Sequence, residues 1–100
     1  MQKYLLNMRV DVADEGYATL LTIINEETYK KIKKSTVIVY LCQMENDPIP
    51  FEDLEWQSGA YIQITPVTDA EVELLERLNV SAHSGTFDFL DENDEDIDID

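Results

Sequence analysis

From Tyr4 to Val12 the chain alternates: Tyr4, Leu6, Met8, Val10 and Val12 face one way in an extended backbone, and Asn7, Arg9 and Asp11 the other. A period of two reads as a strand with one face buried. Asp14, Glu15 and Gly16 then supply turn chemistry, since Gly16 tolerates positive φ, and "YATLLTII" (17–24) reads as a second strand. The chain is expected to open with a β-hairpin.

The same reading carries along the rest of the chain. Asn25 is placed to cap a short helix with Glu26 and Glu27 in its first turn and Lys33 and Lys34 at its end, both complementing the helix dipole. "STVIVYLCQ" (35–43) is a continuous β-branched run, expected to be a central strand covered on both faces by the segment 44–59 or by a second subunit. Within it, Cys42 reads as a buried thiol packing as a small hydrophobe. "FEDLEWQSG" (51–59) reads as an irregular link or one helical turn, and "AYIQIT" (60–65) as a strand. Thr68 and Glu71 form a capping-box pattern ahead of a helix with a Val72, Leu74, Leu75 and Leu78 stripe. "SAHSG" (81–85) reads as a loop and "TFDFL" (86–90) as a strand that turns Phe87 and Phe89 inward.

The expected fold is therefore α+β in ββαββαβ order. It comprises an antiparallel or mixed sheet of about five strands with two helices on one face, a single domain over 1–90, and an acidic tail over 91–100. The segments from Ala18 and from Ala60 rhyme as strand, cap and helix, which suggests a ββα duplication, although short strand–helix units resemble one another anyway.

Charge is the second constraint. The 100 residues carry a net −15, unevenly spread. Residues 1–44 hold five acids and six bases, whereas residues 45–100 hold seventeen acids against Arg77 alone. Such a surface repels nucleic acid and anionic lipid and attracts basic proteins. The beginning of the sequence lacks an unbroken apolar segment, so a soluble cytoplasmic protein is expected.

Catalytic signals are weak. His83 is the single histidine; it precedes Ser84 and has Asp88 nearby, but neighbours in a loop rarely act as nucleophile and base, and no nucleophile elbow or phosphate loop is present. Asp91, Asn93 and Glu95 have the alternation of a calcium loop, yet Asp96 stands where that loop requires glycine. No enzyme, cofactor or specific metal is expected.

The acids themselves are the candidate site. Asp96, Asp98 and Asp100 alternate with Ile97 and Ile99. In an extended chain the acids would share one face, about 7 Å apart, and the isoleucines would face a sheet. That row resembles, in charge and spacing, one strand of a phosphate backbone. Asp91, Glu92, Asp94 and Glu95 extend it, Glu45 and Asp47 add to the negative surface, and Phe51 and Trp56 stand as aromatic anchors among Glu52, Asp53 and Glu55. The competing readings are a solvated tail, a tail folded onto Lys30, Lys31, Lys33 and Lys34, and, for Phe51 and Trp56, side chains that plug the sheet face.

The expected function is a small binding protein that occupies a cationic, nucleic-acid-binding site of a partner and inhibits by competition. By analogy of charge and size, anti-restriction and anti-CRISPR factors of phage, nuclease inhibitors, immunity proteins and antitoxins work this way. The alternative is an assembly protein that forms a homodimer or larger oligomer through an apolar sheet face, its acidity serving solubility.

Overall fold

The computed structural model describes residues 2–12, 16–42, 44–45, 47–57, 60–79 and 81–99. The alternating segment is β1 (Lys3–Val12), paired antiparallel with β2 (Gly16–Asn25) from Lys3 opposite Asn25 to Val12 opposite Gly16. Gly16 has a φ of 111°, a conformation open to glycine and strained for other residues; Asp14 and Glu15 lie outside the described residues. Asn25 Oδ1 accepts the Thr28 N–H at 2.8 Å and caps α1 (Glu26–Lys33), whose acidic first turn and basic last turn follow the dipole. Ile32 is buried, and the Tyr29 ring lies 4.5 Å from that of Tyr4.

β3 (Thr36–Leu41) opens a second sheet. A tight turn at Cys42 leads to β4 (Met44–Glu45), and β5 (Ile49–Pro50) pairs with the start of β3 along the same edge. A 3-10 turn (Phe51–Asp53) and α2 (Leu54–Gln57) follow. β6 (Tyr61–Val67) returns to the free side of β1, where its position at an edge accommodates Pro66. α3 (Asp69–Arg77) has both capping-box bonds: Thr68 Oγ1 accepts the Glu71 N–H at 3.1 Å, and Glu71 Oε1 accepts the Thr68 N–H at 2.9 Å. β7 (Ala82–Ser84) joins the far side of β2, and β8 (Thr86–Leu90) crosses to the second sheet beside β3.

The architecture is thus α+β with antiparallel pairing, but it has two sheets where one was expected. The first runs β6-β1-β2-β7; in the second, β8 flanks one side of β3 while β4 and β5 share the other. The five longer strands are those read from the sequence; the rest have two or three residues each. The reason for two sheets is the amount of apolar surface to cover. α1 contributes little more than Ile32 and Tyr29, so Val37, Val39, Phe87 and Phe89 of the second sheet cover Leu6, Met8, Val10 and Ala18 of the first. Full burial of each large apolar side chain contributes about 1.5–3 kcal/mol.

Where the chain passes between sheets, Gly85 has φ 81°, and a Cβ there would stand 2.3 Å from the Tyr40 carbonyl oxygen and 3.2 Å from Ala18 Cβ. Only a glycine lets the two sheets approach this closely at that corner.

The expectation of two helices on one face does not hold. Ile32 of α1 belongs to the core between the sheets. Val67 and Val72 are buried outside that cluster, and Val67 alternates with the inward Ile62 and Ile64, so α3 covers the opposite face of the first sheet. Of the leucine stripe, Leu74 and Leu78 stay exposed. β3 buries Val37 and Val39, while Thr36, Ile38 and Tyr40 remain half-buried, so it is not covered fully on both faces. Of the segment 44–59, β4 and β5 pair along its edge, and Phe51 and Leu54 enter the core.

Cys42 is exposed rather than buried: the strand ends at Leu41, and Cys42 takes a φ of 56° in the turn. His83 and Ser84, expected in a loop, lie on β7. β3 and β6, the pair that would match the β1–β2 hairpin in a duplicated unit, lie in separate sheets. Among the described residues no helix is long and apolar enough to cross a membrane.

Candidate partner-binding surface

The acidic segment folds back on the second sheet. Asp91 begins a tight reversal in which its N–H donates to the Glu95 carbonyl at 2.9 Å and its carbonyl accepts the Asp94 N–H at 3.0 Å. Asp91 Oδ1 also accepts the N–H groups of Asn93 at 2.8 Å and Glu95 at 3.0 Å. Asp94 takes a φ of 59°, which Asp and Asn tolerate better than most residues. Asp96 then bridges Leu90 antiparallel, and the Ile97 N–H donates to the Phe89 carbonyl at 2.7 Å.

Ile97 and Ile99 are half-buried and packed against the core, whereas Asp96 and Asp98 are exposed. The period of two therefore separates the two chemistries, with isoleucines inward and carboxylates outward. Asp91 is half-buried and engaged in the turn. Glu92, Asp94 and Glu95 are exposed along the reversal. Asp100 lies outside the described residues.

The outward carboxylates continue across the sheet. Tyr40 lies opposite Glu45 on β4, and Asp88 on β8 lies opposite Ile38 of β3. Since Phe87 and Phe89 pack inward, Asp88 faces outward with Tyr40. The Tyr40 pKa is raised above the ordinary tyrosine value: desolvation is the largest cause, followed by the charges of Asp88 and Glu45, the hydrogen bond to Asp88, and the charge of Asp96. Carboxylates from β4, β8 and the segment after β8 thus share one open face around one phenol.

The region of the aromatic pair divides. Phe51 is not a surface anchor: it is 8% exposed, with its ring 6.5 Å from that of Phe89. Phe51 and Leu54 plug the core, and the short helical turn presents Glu52, Glu55 and Trp56 to solvent, with Asp53 half-buried. Trp56 is 87% exposed. Asp47 is exposed as well.

The lysine cluster also meets the acidic segment. Lys31 and Lys34 line a cleft of about 590 Å³ with Asp91, Glu92, Asp96 and Asp98. Lys31 also pairs with Glu27 at 3.5 Å, and Lys33 lies 5.2 Å from the Tyr29 ring centre. His83 and Asp88 stand on different sheets, so His83, Ser84 and Asp88 do not form one constellation. Among the described residues no group of three or more His, Cys, Asp or Glu side chains is arranged to hold a metal.

The sequence reading assigned no partner-binding role to Tyr40 or Asp88. The signal lay in the parity of "VIVYL" and "TFDFL", where turning the valines and phenylalanines inward turns Tyr40 and Asp88 outward. Comparison with models of known protein families, with curated proteins and with solved structures finds no match to this chain.

Proposed function

We propose that the protein is a non-enzymatic inhibitor whose acidic face occupies a cationic, nucleic-acid-binding site of another protein. The observation that supports this most is the separation in the last segment: Ile97 and Ile99 pack on the core, and Asp96 and Asp98 stand outward on the sheet that also carries Asp88 and Glu45. Carboxylates at alternate positions of an extended segment recur at about 6.6–7 Å. On the neighbouring strand, about 4.8 Å away, Asp88 adds one more carboxylate, and Glu45 on β4 lies beyond β3, which makes a negative surface suited to a groove built for phosphates. Glu92, Asp94 and Glu95 enlarge it, and Trp56 with Glu52 and Glu55 offers a second contact region. Long-range attraction would make association fast and strongly salt-dependent.

The test uses the intact chain and a variant neutralised on this face, Glu45→Gln/Asp88→Asn/Asp96→Asn/Asp98→Asn, as baits in an extract of the source organism. The expected result is a basic nucleic-acid-binding protein that elutes with salt, is displaced by duplex DNA and is lost from the variant. Retention that neither DNA nor neutralisation weakens would remove the proposal.

A further inference from the structure

A separate feature lies on the first sheet. β2 pairs with β1 along its whole length, but its other side pairs with β7 only from Thr19 to Leu21. Before β7, Asn79 has a φ of 54°, and the Ser81 N–H donates to the Asn79 carbonyl at 2.9 Å; Val80 lies outside the described residues. Among the described residues no strand pairs with this side of β2 from Thr22 to Asn25.

Clefts adjoin that edge on both faces of the sheet. Between the sheets a cleft of about 700 Å³ is lined by Leu20, Thr22, Phe87 and Ile99, with His83 at its side. On the α3 face a cleft of about 300 Å³ is lined by Ile23, Leu75, Glu76 and Asn79. Thr22 and Ser81 border both. Successive side chains of an added strand would point to opposite faces of the sheet, and so into the two clefts in turn.

We infer that the Thr22–Asn25 edge of β2 receives an extended, basic segment of a partner protein as an added strand. Main-chain hydrogen bonds would supply the pairing and the two clefts the side-chain selection. Apolar residues fit the inner cleft, between Leu20, Phe87 and Ile99; basic residues fit the outer one, beside Glu76. The charge around the edge favours such an occupant: Glu26 follows Asn25 directly, and Glu76 lines the outer cleft. A second copy, at −15, would meet repulsion instead. The site is distinct from the acidic face of the second sheet and does not rest on it.

The test is fluorescence anisotropy with a short labelled peptide of alternating lysine and valine, beside the same peptide carrying backbone N-methyl groups on alternate residues. The charges and side chains are equal, and only strand pairing is blocked. The unmodified peptide should bind the intact chain at least about tenfold more tightly than the methylated one. Ser81→Trp, an exposed loop position bordering both clefts, should abolish that difference, and the variant neutralised on the second sheet should retain it. Equal binding of the two peptides, or binding of neither, overturns the inference. So does a dimer in light scattering that Ser81→Trp dissociates, because the occupant would then be a second copy.

Discussion

Replacing Ile97 and Ile99 by alanine removes the apolar anchors of the acidic segment while keeping every charge. Full burial of an isoleucine side chain contributes about 1.5–3 kcal/mol. Both residues are half-buried against the core, so each truncation should cost about 1 kcal/mol and the pair about 2. That corresponds to roughly a thirty-fold shift toward the undocked segment. Native-state hydrogen exchange reads it directly, because the amide of residue 97 donates to the Phe89 carbonyl in the docked form, a bond that alanine retains. The expected result is a roughly thirty-fold loss of protection at that amide, with much smaller changes in the pairing of β3 with β8. If protection at residue 97 is unchanged, the isoleucines do not hold the segment. If the amides of β3 lose as much, the isoleucines support the whole sandwich, and the reasoning about a separately docked segment is refuted.

Further outcomes follow from single contacts. Gly85→Ala sets a Cβ 2.3 Å from the Tyr40 carbonyl oxygen at a φ of 81°, and should destabilise by about 2–3 kcal/mol or more, read as a fall in thermal midpoint of about 10 °C or beyond. Thr68→Ala removes one half of the α3 capping box and should cost about 1 kcal/mol in denaturant unfolding. For Tyr40 the folded protein holds the phenol proton more tightly than the unfolded chain, so its stabilising contribution is full below the ordinary tyrosine value and is lost as pH rises through the folded value. NMR titration of the ring should show ionisation above pH 10.0, and Asp88→Asn should move it downward. Trp56→Ala, at 87% exposure, should leave unfolding within about 0.5 kcal/mol of the parent while weakening partner binding.

The readable parts of this fold are those decided locally. Asn25 and Thr68 cap where their side chains dictate, and the alternation of β1 requires Leu6, Met8, Val10 and Val12 to share one face. Long-range partners were not readable in the same way. Nothing in "STVIVYLC" says whether its neighbours belong to the β1 sheet or to another, because an apolar run fits either. The decisive residue, Gly85, sits in a loop-like "SAHSG", and its role depends on Tyr40 and Ala18, far away in sequence. Cys42 was misplaced for a local reason, since an apolar run carries no mark of where its strand turns. For Phe51 the acids around it suggest a surface anchor and its ring a plug of the sheet face; the second holds, because Pro50 and the following 3-10 turn direct the ring inward, whereas Trp56 stays exposed. In the acidic segment the alternation with Ile97 and Ile99 was legible, whereas its pairing with β8 depends on a reversal made by Asp91 and Asp94.

Docking also bears on how the acidic face would recognise a partner. A free acidic segment must be ordered on binding, at about 1–2 kcal/mol of backbone entropy per residue fixed. A segment already held by Ile97, Ile99 and the Phe89 carbonyl avoids much of that cost, so part of its affinity resides in side chains that never meet the partner. Charge alone and charge in a fixed arrangement then make different predictions for the double alanine variant. Its net charge equals that of the parent, so a partner attracted by charge alone binds both equally and with the same salt dependence. A partner that needs the carboxylates fixed on the sheet sees a smaller competent fraction, and its apparent Kd rises by up to about thirty-fold. The association rate, set by long-range attraction, should change little, and the loss should fall mainly on the lifetime of the complex. Equal affinities for the two chains would reduce the acidic face to a charge reservoir and end its reading as a shaped mimic of a phosphate backbone.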